Sequence, residues 1–348
     1  MKKLFSILLT ALILITPLFA QGAMESSASV NETVVFTDDL GREITVPSEI
    51  TRIAPSGNTA QVILLTFEPD LMAGMAGKLS GDGYSYLPES VQSLPVLGAF
   101  YGKKANLNKE ALIVADPQVV VDIGEIKGSV EAMAKDLDVL TEQTGIPTVF
   151  VENYLKDSGH TYRKLGSLLG LEERAEELAT YADEAIAFAE RVKAEGNGER
   201  SFYYSSSADG LEGIPTGSFH GEVLEGVGGR NVVDKTFSSG NNQISLEQIL
   251  LLNPDVIFLG NSEAYKVVTD PTGPWASLDA VKNGEVYVVP RNIYSWIDSP
   301  PSINRLLGIY YAAEILYPEI ANVDIKAEAK RYFKLFYGVD LPDEKIVY

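Results

Sequence analysis

Apolar and polar positions change period repeatedly along the chain, and each change marks an element. Residues 33–36 and 43–46 alternate around Asp39-Leu40-Gly41, the pattern of a two-stranded hairpin. Residues 50–54 make a short β-like run ending at Pro55-Ser56-Gly57-Asn58. After it, Ala60, Ile63, Leu64 and Phe67 fall on one helical face. Strands are expected at 72–75, 119–122 and 148–151, and a helical turn at 109–115. The rest repeats the alternation, with strands at 201–205, 256–259 and 286–289 and helices at 220–227, 246–252 and 302–316. Strands alternating with helices predict an α/β fold of two lobes, each a central, mostly parallel sheet flanked by helices.

One unit occurs in both halves. Leu107-Asn108-Lys109-Glu110-Ala111-Leu112 precedes Asp116-Pro117 and the strand Val119-Val120-Val121. Leu246-Glu247-Gln248-Ile249-Leu250 precedes Asn253-Pro254-Asp255 and Val256-Ile257-Phe258. Each is a short helix, a Pro turn and a buried strand, with a Glu near the helix start. Between the halves, apolar residues recur at 171, 175, 178, 182, 185, 189 and 192, one face of a single helix over 172–193. At about 1.5 Å per residue it spans roughly 33 Å, the length of a stiff spacer joining two lobes. Gly170 separates it from a preceding helical segment, and Gly196-Asn197-Gly198 ends it. The organisation expected is a leader at 21–32, an N-terminal lobe at 33–155, the helical segment at 156–197 and a C-terminal lobe at 198–348.

The first twenty residues, MKKLFSILLTALILITPLFA, follow the order of a secretory signal: a basic start, an apolar run, a Pro break and the small Ala20. The apolar run is short for a membrane span, so cleavage after Ala20 is expected, leaving 328 residues with a net charge of −22. The full chain of 348 residues carries −20, no Cys and 2 His. Without Cys there are no disulfides, thiolate metal sites, Cys nucleophile or acylated lipoprotein Cys. Two His disfavour a multi-His zinc or copper site. The acidic balance argues against nucleic acid and anionic lipid as partners. A monomer free in a periplasm, with no membrane insertion and no lipid anchor, is expected.

No intact Walker loop, G-x-G-x-x-G, H-E-x-x-H or G-x-S-x-G occurs. In open α/β sheets, ligands sit beyond the carboxyl ends of strands. The loops there offer Ser56, Gly57 and Asn58; Phe100, Tyr101, Lys103 and Lys104; Asp122, Gly124 and Glu125; and Glu152 and Asn153. From the second half come Tyr204, Ser205 and Ser206; Ser218 and His220; Asn261; and Arg291, Tyr294, Ser295 and Trp296. Ser56-Gly57-Asn58-Thr59 either holds an anion on helix amides or is a plain N-cap. Aromatics beside Lys and Arg suit a flat or anionic ligand, and aromatics also build cores. His220 is either a metal ligand or a helix-start residue.

FTDDLGREITVP at 36–47, TRI at 51–53, NLNKE at 106–110 before Asp116-Pro117, LE at 246–247 before Asn253-Pro254-Asp255, and WASLDAVKNG at 275–284 stand in a specific order. Together they resemble the periplasmic binding proteins of ABC importers for iron complexes and cobalamin, over about residues 33–337. The resemblance implies two α/β lobes joined by one long helix, with a single ligand between them and modest closure. It also implies docking on a membrane permease driven by an ATPase. In the family one surface Glu per lobe pairs with permease Arg residues, and the matching positions are Glu110 and Glu247. A Glu also sits favourably in a first helical turn, and both can hold.

The function expected is a non-enzymatic receptor for a metal chelate, with no intrinsic cofactor and no direct protein ligand to metal. A ferric siderophore ranks first, haem or cobalamin next, and an oxyanion such as molybdate or tungstate after them. Haem would draw an axial ligand from Tyr101, Tyr204, Tyr294 or His220. A ferric chelate would want Lys103, Lys104 and Arg291. An oxyanion would want the Ser56-Gly57-Asn58 amides with Ser205 or Ser218. The rival classes are an exported enzyme using the same cleft and a metal-cofactor scaffold.

Overall fold

A computed structural model describes residues 32–79, 81, 83–101, 105–236, 242–298 and 301–346. The signal segment, the leader up to residue 31, and Lys103 and Lys104 lie outside the described residues.

Strands β1 (Thr33–Thr37) and β2 (Glu43–Pro47) form the expected antiparallel hairpin, with Val35 opposite Thr45. Its turn is a polar clamp. Buried Asp38 accepts from the amides of Leu40 and Arg42, and Arg42 Nη2 lies 2.6 Å from its carboxylate. Asp38 also accepts the Phe150 amide at 3.1 Å, so the hairpin is fixed to the first sheet. β3 (Ile53–Pro55) starts three residues later than the apolar run, because the amides of Thr51 and Arg52 are taken by the Gln118 side chain at 2.7 and 3.0 Å.

The chain continues through α1 (Asn58–Phe67), α2 (Glu89–Gln92), α3 (Lys109–Ala115), β4 (Val119–Gly124), α4 (Val130–Thr144) and β5 (Thr148–Glu152). The first sheet is parallel, in the order β3-β4-β5, with every residue of β4 buried. The strand expected at 72–75 makes only single bridges, Met72 to Ile53 and Met75 to Val96. Gly74 between them lets Leu97 approach to 2.5 Å of where a Cβ would stand, so the segment serves two neighbours instead of one.

Then come α5 (Ser158–Leu169) and the long α6 (Glu172–Gly196), which runs on to an Asn197 cap at φ 51°. The second half holds β6 (Ser201–Ser205), α7 (Glu222–Gly226), β7 (Arg230–Asn231), α8 (Leu246–Leu252), β8 (Val256–Leu259), α9 (Ser262–Val268), α10 (Asp279–Lys282) and β9 (Val286–Val288). Its sheet is also parallel, in the order β7-β6-β8-β9. The short pair β10 (Arg291–Asn292) and β11 (Tyr294–Ser295) leads to α11 (Arg305–Leu316), α12 (Pro318–Ala321) and α13 (Ile325–Tyr337). The helix expected at 302–316 begins at Arg305, after a turn closed by the Arg305 amide on the Ser302 carbonyl.

A single core cluster runs through both halves. Leu178, Tyr181, Ala182, Ala185 and Val192 of α6 lie in it, as the periodicity required. So do strand residues Val119, Val149, Phe202 and Val256. α13 crosses back over the junction: Phe336 packs on Tyr162 of α5 and Tyr181 of α6 at 5.9 and 5.2 Å. Tyr332 and Tyr337 each donate to Asn304 at 2.8 Å, and Asn304 donates to the Tyr294 carbonyl.

The tightest helix contact is at Gly308 of α11, where a Cβ would lie 1.9 Å from the Trp296 carbonyl oxygen. Gly308→Ala is therefore expected to cost about 1–3 kcal/mol, the range for overpacking. Gly226, with open space at its Cβ, should accept Ala with little change or a gain of up to about 1 kcal/mol. Urea unfolding of both variants checks the contrast.

Candidate functional site

In each sheet the loops beyond the carboxyl ends of the strands carry the chemistry. In the first half β3 ends at Pro55, and Ser56 is buried with its hydroxyl donating to Asp122 Oδ1. Gly57 is the N-cap of α1 and supplies no side-chain acceptor to its first amides. A cavity of about 280 Å³ opens beyond that helix end, lined by Ser56, Gly57, Asn58, Thr59, Tyr101, Asp122 and Lys127. Lys127 Nζ lies 4.4 Å above the Tyr101 ring and 3.9 Å from Asp122 Oδ2. Phe100 meets Tyr101 edge to face at 4.6 Å. Among the described residues, Tyr101 Oη and Asp122 Oδ2 are buried without a hydrogen-bond partner. Burial pushes the Asp122 carboxyl above the usual carboxylate range, against the pull of Lys127 and Ser56.

The second half brings a different set. Ser218 Oγ accepts the His220 amide and starts the short turn Phe219–Gly221. His220 Nδ1 is 2.5 Å from buried Asp298. That hydrogen bond raises the imidazole pKa, against partial burial. Buried Arg305 reaches Glu222 at 2.6 Å and lies 4.5 Å over the Phe219 ring. Glu125, in the loop after β4, bears electrostatically on His220, Glu222 and Arg305, so this loop of the first half faces the 218–222 turn of the second. His220 and Asp298 have the form of a base and its orienter. No hydrogen bond joins Nε2 to a nucleophile among the described residues, so the third member of a hydrolase triad is not assembled.

Several expected site residues belong to the core instead. Tyr204 is 1% exposed and Trp296 0%, the latter perpendicular to Tyr311 at 5.9 Å. Ser205 is fully buried at the end of β6. Tyr294 is buried, and its hydroxyl accepts from Gln61 of α1 at 2.9 Å, which joins the halves; burial pushes its pKa up to about 12. Tyr204 lies near the end of β6, and in a parallel sheet covered on both faces a strand end is still interior, whereas Tyr294 and Trp296 lie in and just after the antiparallel β10–β11 pair, which is packed into the core. Arg291 is exposed and lines a separate groove of about 750 Å³ with Asn261 and Tyr265, along the edge strand β9. Glu110 and Glu247 are exposed on α3 and α8. Sequence reasoning reached Asp122 and Glu125 but missed Lys127, Asp298, Glu222 and Arg305. Their partners lie far away in the chain, and no local spacing signals them.

Residues 71–293 match the sequence profile described as periplasmic binding protein. A solved ABC transporter solute binding protein from Sulfurospirillum deleyianum is 31% identical, with 90% of this chain and 97% of that one superposed at a TM-score of 0.80. The molybdate-binding protein MolA of Haemophilus influenzae is 24% identical across 87% of this chain and 90% of its own length. The Fe(3+)-citrate-binding protein YfmC of Bacillus subtilis is 31% identical over 90 residues, 25% of this chain and 28% of its own. The chain belongs to the periplasmic binding protein family, whose members named above are solute receptors of transporters. Among the described residues no helix is long and apolar enough to cross a membrane.

The His220–Asp298 pair has a pH signature. Because the folded imidazole pKa lies above its unfolded value of about 6.5, the pair's stabilisation is full below that pH and fades as pH rises through the folded value. In an NMR titration, Asp298→Asn should bring the His220 midpoint down. An unchanged midpoint would remove Asp298 as its cause.

Proposed function

We propose that this protein is an exported receptor that holds a tetrahedral oxyanion of the molybdate and tungstate class between its lobes and delivers it to an ABC importer. The observation that carries this reading is the start of α1. An N-cap without a side chain leaves the first amides of a ten-residue helix directed at a cavity of about 280 Å³. Such amides, with the positive end of the helix dipole, favour an anion. Lys127 adds a cation, and Tyr101 Oη is a buried donor with no hydrogen-bond partner among the described residues. Burial raises the Asp122 carboxyl pKa, which lessens its repulsion of an anion. The cavity lies at the small end of ligand sites. The molybdate-binding relative matches along nearly the whole chain, whereas the iron-citrate relative matches a quarter of it.

A second reading, a ferric chelate, is favoured by the Phe100–Tyr101 pair under Lys127, an aromatic and cationic wall suited to a planar anionic ligand. Haem draws less support from Tyr204 and Tyr294, which are buried; His220, with Nδ1 on Asp298, keeps Nε2 for a metal.

Calorimetric titration of the mature protein with sodium molybdate, sodium tungstate, sulfate and ferric citrate separates these readings. Molybdate or tungstate should bind at one equivalent. Lys127→Ala should weaken that binding by roughly ten- to a hundredfold, the worth of one charged hydrogen bond. Affinity should fall as pH rises through the raised Asp122 pKa, and Asp122→Asn should flatten the fall. Binding of ferric citrate without binding of either oxyanion establishes the second reading instead.

A further inference from the structure

Asp122 of β4 is 3% exposed, lines the cavity beyond α1 and is satisfied on one side only. Its Oδ1 accepts from the Ser56 hydroxyl. Its Oδ2 is buried, has no hydrogen-bond partner among the described residues, and stands 3.9 Å from Lys127 Nζ. The rest of the lining is of another kind. The uncapped amides at the start of α1 and the Lys127 ammonium only donate. The hydroxyls of Thr59 and Tyr101 and the Asn58 side chain donate and accept alike, so they do not sort ligands by proton content. Asp122 does. Ionised, its Oδ2 only accepts; protonated, it donates. Both forms are within reach, because burial favours the neutral carboxyl while Lys127 and Arg42 favour the charged one. The Tyr101 hydroxyl is the other titratable group that bears on it.

Tetrahedral oxyanions differ in the matching respect. In mildly alkaline water molybdate and tungstate carry no proton, whereas phosphate and arsenate carry one. We propose that Asp122 makes the cavity count protons: the contact between its Oδ2 and the bound oxyanion holds one proton, brought by the carboxyl for molybdate or tungstate and by the ligand for hydrogen phosphate or hydrogen arsenate. The inference rests on the oxyanion reading of this cavity and adds a second class of ligand to it. With no proton in the contact, two anionic oxygens would face each other in a buried place. With two, a donor would face a donor. One proton is the count at which the unpartnered Oδ2 gains a hydrogen bond from either class, and Asp122 is thereby the residue that sets specificity. A bound molybdate draws its proton from solvent onto the carboxyl, whereas hydrogen phosphate arrives with its own.

The test is calorimetric titration of the mature protein with sodium molybdate and sodium phosphate, at one mildly alkaline pH, in buffers of different protonation enthalpy. Molybdate should take up one proton more than phosphate, whatever the charge of Asp122 in the free protein. By linkage, the ratio of molybdate to phosphate affinity should fall tenfold for each unit that pH rises. Tungstate and arsenate should repeat the pair. In Asp122→Asn the Ser56 hydroxyl holds the amide oxygen, which leaves the amide nitrogen, a donor only, at the place of Oδ2. That variant should keep molybdate without the proton uptake and lose phosphate about ten- to a hundredfold. Equal proton counts for the two anions overturn the proposal. So does molybdate binding with no binding of phosphate or arsenate, and so does an equal loss of both classes in an Asp122→Asn protein that unfolds at the wild-type urea concentration. If the variant does not fold, the wild-type proton counts decide alone. If no oxyanion of either class binds, the oxyanion reading itself fails and this inference with it, an outcome distinct from molybdate binding with the wrong proton count.

Discussion

The architecture depends on the apolar face of one helix. α6 buries Leu178, Tyr181, Ala182, Ala185 and Val192 in a core that also holds strands of both sheets. Its small residues let neighbours come close: Gly166 of α5 lies so near Ala175 that a Cβ would stand 2.4 Å from it. The α13 aromatics close the same core from the far end of the chain, with Tyr332 and Phe336 stacked at 4.4 Å. Two lobes that share one close-packed core cannot swing freely, because a large rotation would unpack rings whose contacts are collectively worth several kcal/mol. The Tyr294–Gln61 hydrogen bond ties the lobes a second time. Small closure around a ligand is the motion this core permits.

Given that frame, the site follows from strand direction. Within each parallel sheet the carboxyl ends point one way, and the loop after β4 faces the 218–222 turn through Glu125. Charge is arranged unevenly there. The first half offers amides, Lys127 and a carboxyl driven toward neutrality. The second holds its cations in pairs, Arg305 with Glu222 and His220 with Asp298. An anion is best met by the first half, where the α1 amides have no side-chain cap and Lys127 is held only at 3.9 Å from Asp122.

Much of this is legible in the sequence. Residues 246–252, 256–259 and 201–205 read with their true bounds because Ser, Asn and Pro punctuate them. α6 read correctly along its inner face because seven apolar positions kept one period. The repeated helix–turn–strand unit was visible as text, and the structure adds two exposed aliphatics on its helices, Val114 and Leu251. α4 and α13 were missed, although both are amphipathic and capped, by Ser129 and by Asp324. Ser56, Gly57, Asn58, Tyr101 and Asp122, read from strand-end loops, line one cavity. Tyr204, Ser205, Tyr294 and Trp296, expected at the same loops, are buried. Strand-end aromatics look the same in sequence whether they line a cleft or fill a core, and only burial separates the two.

The chain thus combines a scaffold that resists large motion with a helix end open to an anion. The most direct test of where the ligand sits is anomalous diffraction at the tungsten edge from crystals grown with sodium tungstate. One peak is predicted between the lobes, within hydrogen-bond reach of the amides of Asn58, Thr59 and Ala60 and beside Lys127. A peak in the groove along β9 near Arg291, or none at all from crystals that hold a ferric chelate in the cleft, would contradict the assignment.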